Sequence, residues 1–122
     1  MTTPAAPTTG LAPHVAGALA YILGPITGVL FLVIEKENRF VRFHAAQSIA
    51  VGVATIALYI ALSLLGTVLA FIPVLGWIVA LLLTLVIGFG TFVLWLLLMW
   101  RAFQGKEWEV PIAGGFARRI VP

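Results

Sequence analysis

The sequence predicts an all-α polytopic membrane protein with three transmembrane helices and a short cytoplasmic amphipathic C-terminal segment. Three observations predict it. The 122 residues are 62% hydrophobic and 9% charged, whereas a soluble domain carries about 25% charged residues. No Asp, Glu, Lys or Arg lies between Phe43 and Trp100. All 7 Lys and Arg residues fall in two short blocks, 36–42 and 101–119. A soluble globule of this size buries only about 60–70% of its chain's surface. So apolar a composition therefore excludes a soluble enzyme, a disordered tail and a nucleic-acid-binding module. The length fits a single domain.

Residues 1–13 read as a flexible extracytoplasmic tail, rich in Pro and Thr and without the basic n-region of a signal peptide. Residues 14–122 read as one helical membrane domain. Its first span, about 14–34, is long enough at 1.5 Å per residue to cross a hydrocarbon core of about 30 Å. Pro25 has no N–H to offer the carbonyl of Tyr21, so this span is expected to kink. The kink is either a structural bend or a mid-membrane substrate or ion site. The second span, about 45–71, exceeds what a bilayer needs, and tilt would absorb the excess. Pro73 and Gly76 then punctuate the uncharged run. The third span is about 77–100, with Trp77 and Trp100 at the two interfaces. Residues 101–122 form the second tail.

Counting Lys and Arg sets the expected orientation. On a three-span path every basic residue lies on one side, which the positive-inside rule makes cytoplasmic. The protein is then a multi-pass cell-membrane protein with its N-terminus outside and its C-terminus cytoplasmic. Small residues at four-residue spacing provide the expected packing faces. These are Gly24 and Gly28 with Pro25 in the first span, Ala50 and Ala54 in the second, and Gly88 in the third.

The polar stretch NRFVRFHAAQS places Asn38 as an N-cap ahead of an amphipathic first turn. His44, Gln47 and Ser48 carry polar groups into the membrane, where they need partners. Glu35, Lys36, Arg39, Arg42, His44 and Gln47, with Arg101, Lys106, Arg118 and Arg119, are the candidate cytoplasmic residues for lipid headgroups or a protein partner. Glu35 or Glu37 is expected to pair with Lys106 or Arg101. Pro111 favours extended backbone before it, and residues 113–121 suggest a short surface helix.

No catalytic set is legible. Cys and Asp are absent, Ser48 and Ser63 lie in no nucleophile elbow, and no HExxH, P-loop or Rossmann fingerprint occurs. His14 and His44, the only histidines, read either as interfacial residues or as single haem-type ligands. In three spans a bilayer thickness would separate them. The expectation is no catalytic, metal or cofactor-binding residue and no enzymatic activity.

Three segments stand in an order that resembles a known family. They are Leu19–Pro25, the block EKENRFVRFHAAQS at 35–48, and AFQGK at 102–106 with Pro111-Ile112 and Gly114. The resemblance is to a family of small bacterial and archaeal membrane proteins of unknown function. That family is distantly similar to the chloroplast inner-envelope import component of the Tic complex. The resemblance implies a helical membrane domain and a loose link to protein translocation. The functional expectation is an interaction or assembly subunit of a membrane complex. One alternative is a small channel or transporter that oligomerises around Gly24-Pro25. Another is an accessory subunit of an energy-transducing complex, touching pigment or lipid cofactors. The expected partners are anionic lipid headgroups and a protein partner or further copies within the membrane, not nucleic acid.

Overall fold

Two Pro-initiated segments shape the first third of the chain. The computed structural model describes residues 6–121 and, among them, contains five helices and no strand. Helix α1 (Pro13–Leu19) and helix α2 (Pro25–Ile34) each carry Pro in the first turn, where its missing N–H costs nothing. Between them Gly24 adopts φ 63° and ψ −133°, a region closed to residues with a Cβ. Sequence reading expected one kinked span over 14–34. The structure shows a helical hairpin instead. With 7 and 10 residues, the two helices reach only about 10 and 15 Å, and neither crosses a bilayer.

Contacts at the two ends establish the reversal. The Thr8 N–H and hydroxyl, ahead of α1, donate to Glu35 Oε2 and Oε1 at 2.7 and 3.0 Å, just after α2. His14 meets the ring of Phe103 edge-on at 5.1 Å between centroids, which places the start of α1 beside the end of α4. The described tail therefore lies at the same end of the molecule as the basic loop, not at the opposite end as the three-span path required. Residues 1–5, part of the expected flexible tail, lie outside the described residues.

Two helices are long and apolar enough to cross a membrane, α3 (Arg39–Leu69) and α4 (Leu75–Phe103). Asn38 caps α3 as expected, its side chain accepting from Val41 N at 3.1 Å. The helix thus begins six residues before the predicted span. At the far end Gly76 packs directly on the Leu69 carbonyl, and Trp77 Nε1 donates to Ala70 O at 3.2 Å. Gly105, at φ 78°, closes α4 in the left-handed conformation common just past helix C-termini. Residues 106–110 form neither helix nor strand, a turn follows at 111–112, and α5 (Ala113–Ile120) comes next, where a short helix was predicted.

Packing concentrates at one end. The Pro25 ring sits on Gly52, and Gly28 packs on Ala45, Ser48 and Ile49. Helix α5 lays Ala117 against Phe43 and Ala46. Beyond Gly52 α3 runs along α4, through contacts such as Tyr59 Oη with Thr91 Oγ1 at 3.0 Å. Of the expected small-residue faces, Gly28 meets α3 and Gly88 lies 3.8 Å from Tyr59 Oη, measured from an added Cβ. Ala50 is half-buried and Ala54 is exposed. The α3 face that receives the hairpin is offset from the predicted row because Ala46 is taken by α5.

Candidate functional site: a closed polar cluster beneath a basic end

The polar residues that enter the apolar helices find their partners in one cluster. Tyr21 comes from the break between α1 and α2, His44 and Gln47 from α3, and the rest from the segment 106–110. His44 Nε2 lies 2.9 Å from the Lys106 carbonyl, which only accepts, so Nε2 carries the proton. Nδ1 of the neutral ring then accepts from the Tyr21 hydroxyl at 2.7 Å. Gln47 Nε2 donates to Tyr21 Oη at 2.8 Å and to Trp108 O at 2.9 Å, while its Oε1 receives Val110 N at 3.0 Å. Phe40 and Phe43 stand edge-on to the imidazole at 4.6 and 5.2 Å. Gly114 is required here, since a Cβ would fall 2.5 Å from Glu109 Cβ and 3.1 Å from Gln47 Oε1.

The broken helix is satisfied in the same way. Ser48 Oγ donates to Gly24 O at 2.8 Å, and Thr27 Oγ1 donates to Ala20 O at 3.0 Å. Trp95 Nε1 donates to Tyr21 O, the carbonyl that Pro25 leaves without its helical donor, at 2.6 Å. These carbonyls serve a structural bend, and none of them points as a free ligand into a cation site.

Glu35 is fully buried after α2 and is also saturated. Burial pushes its carboxyl pKa up. Hydrogen bonds from Asn38 N, Glu37 N and the side chain and N–H of Thr8 together outweigh that and hold it below the usual carboxylate range. Arg42 Nη1 donates to Leu32 O and Glu35 O at 3.0 and 2.7 Å, so it satisfies the last carbonyls of α2. Neither Glu35 nor Glu37 makes the expected pair with Lys106 or Arg101. Among the described residues the ion pairs are those of Arg118, with Glu109 at 2.6 Å and Glu107 at 3.3 Å. Its guanidinium also lies over Phe43, 4.1 Å from the ring centroid.

The ten predicted interaction residues therefore separate. Glu35, His44 and Gln47 are buried within the fold, and Arg42 and Arg118 are half-buried and engaged. Arg101 is half-buried, with an enclosed Nε that has no hydrogen-bond partner. Lys36, Arg39, Lys106 and Arg119 are exposed. All of them stand at the end where the hairpin and both tails converge. Sequence reasoning did not name Tyr21 or Trp95 as polar partners, and it missed the backbone of 106–110. Their signal was the set of unpaired needs at His44, Gln47 and Ser48, which α3 alone could not meet. Among the described residues no group of three or more His, Cys, Asp or Glu side chains could hold a metal ion.

Two apolar helices of membrane-spanning length, a half-length helical hairpin and a polar end with every basic residue define a small helical membrane protein. The chain belongs to the magnetosome magnetite crystal formation protein family, which it matches over residues 6–117. It is 40% identical to a UPF0132 membrane protein of Methanocaldococcus jannaschii over 110 residues, covering 90% of this chain and 89% of the relative. It is 42% identical to a UPF0132 membrane protein of Archaeoglobus fulgidus over 108 residues, covering 88% and 94%. A second M. jannaschii UPF0132 membrane protein is 33% identical over 110 residues, covering 90% and 71%. No solved structure matches the chain.

Proposed function

We propose that the protein is a non-enzymatic membrane subunit whose basic end is a cytoplasmic recognition face. The observation that carries this is the division of labour at that end. Tyr21, His44 and Gln47 are engaged by one another and by the backbone of 106–110, whereas Lys36, Arg39, Lys106 and Arg119 are exposed. With both tails at that end, the positive-inside rule puts them together in the cytoplasm. Exposed cations there meet anionic headgroups or an acidic protein surface.

The family's description speaks of magnetite crystal formation. The acids of this chain form no mineral-binding set. Glu35 is buried under backbone donors, and Glu107 and Glu109 are engaged by Arg118. Protein translocation rests on the resemblance of the segments at 19–25, 35–48 and 102–114 alone and forms no part of the reading. The satisfied carbonyls at Gly24 and Tyr21 also speak against a channel built around the break.

The test is purification in mild detergent of the natural chain and of a variant carrying Lys36→Glu, Arg39→Glu and Arg119→Glu. A partner at fixed stoichiometry that the variant loses supports the reading. A chain that purifies alone and passes ions through liposomes by itself overturns it.

A further inference from the structure

The two halves of the molecule differ in girth. At the level of Ser48 and Trp95 the section cuts the α1–α2 hairpin, α3 and α4, with α5 laid against α3. At the far end, where Trp77 meets Ala70, it cuts α3 and α4. A helix with side chains is about 10–12 Å across, so each short helix adds roughly 80–110 Å² of cross-section to one side only. The exposed face of α2 is apolar, as insertion in lipid requires. Ile26 and Val33 of α2 are 70% and 65% exposed, and Val29 and Leu30 are exposed between them. The depth of α2, about 15 Å, is half of a hydrocarbon core of about 30 Å.

The wide end is also fixed in shape. Ser48 holds the hairpin apex at Gly24, Trp95 holds Tyr21, and Thr8 with Glu35 ties the open ends. A loose insertion would collapse against lateral pressure, but a tied one displaces lipid. Helix α5 extends the same side. Its small residues Ala113, Gly114 and Ala117 are buried, while Ile112, Phe116 and Ile120 form an exposed apolar stripe at four-residue spacing. Ile112 is 93% exposed.

We propose that the protein is a membrane wedge that partitions into, and at high density produces, bilayers that are convex on its basic side. The partner is the lipid surface itself. This goes beyond the recognition reading, because the purified chain needs no other protein to show it. If the basic end is cytoplasmic, the favoured deformation bulges toward the cytoplasm.

The experiment reconstitutes the full chain, with a fluorescent C-terminal tag, into vesicles of mixed phosphatidylcholine and phosphatidylglycerol spanning a range of diameters. Protein per unit lipid is read vesicle by vesicle, and protease accessibility separates outward from inward tags. Outward-tagged copies are expected to be enriched roughly threefold or more in the smallest vesicles, in line with the curvature sensitivity of one-leaflet insertions. Inward-tagged copies are expected to be depleted there. Equal density at every diameter, or enrichment of inward-tagged copies, overturns the proposal. A Ile112→Ser, Phe116→Ser variant alters only exposed side chains and is expected to lose part of the enrichment. If it keeps all of it, α5 is removed from the wedge.

Discussion

Substituting Gly52 with Ala tests the seat of the hairpin directly. An added Cβ would stand 2.5, 2.7 and 2.8 Å from Cδ, Cγ and Cβ of Pro25. Carbon atoms in contact prefer about 3.5–4.0 Å, so the apex must retreat by about 1 Å. A pyrrolidine ring cannot rotate aside, and the Ser48–Gly24 hydrogen bond resists the shift. Overpacking of this kind costs about 1–3 kcal/mol, and the better helix propensity of Ala returns about 0.8–1.0 kcal/mol. Gly90, inside α4, has open space where its Cβ would be, so Gly90→Ala collects the propensity gain without the clash. The expected stability gap between the two variants is therefore about 1–3 kcal/mol. Unfolding by SDS titration in mixed micelles, followed by tryptophan fluorescence, measures it. If Gly52→Ala proves as stable as Gly90→Ala, the hairpin does not rest on α3 as described.

Two further expectations follow from the cluster and its neighbour. Gln47→Leu removes the partners of Trp108 O and Val110 N, at about 1–3 kcal/mol for each buried group left unpaired, and trypsin should then cut at Lys106 and Arg118 faster than in the natural chain. The Glu35 carboxyl has a folded pKa below its unfolded value of about 4.3, so its contribution is complete above that pH and is lost as pH falls through the lower folded value. Unfolding midpoints measured from about pH 6 down to pH 3 should therefore drop in the natural chain and flatten in Glu35→Gln.

Local chemistry made much of this fold legible. Asn38 announced the start of α3, Pro111 marked non-helical backbone before α5, and the uncharged run from Phe43 to Trp100 gave two membrane-length helices joined by a turn. The first segment was misread for a definite reason. Its 21 residues, 14–34, are apolar enough to satisfy the length rule for a span, and that rule is blind to backbone direction. Gly24-Pro25 signalled a break, but a kink and a full reversal share that signal, and contacts distant in sequence, Thr8 with Glu35 and His14 with Phe103, separate them. The same reversal explains why counting cations gave a consistent side yet placed the N-terminal tail across from it. The cluster was half visible, because His44, Gln47 and Ser48 advertise unmet hydrogen bonds. Besides the Tyr21 hydroxyl, the partners of His44 and Gln47 are main-chain atoms more than 60 residues away, and backbone groups leave no mark in a sequence.

The fastening of α3 by residues 106–110 also orders events during synthesis. His44 and Gln47 are made long before Lys106, Trp108 and Val110, so until that segment leaves the ribosome the nascent chain carries two polar side chains without their partners in it. A ribosome that stops after Phe103 would release both apolar rods with the clasp missing, a species fit for quality-control proteolysis despite containing every residue that crosses the membrane.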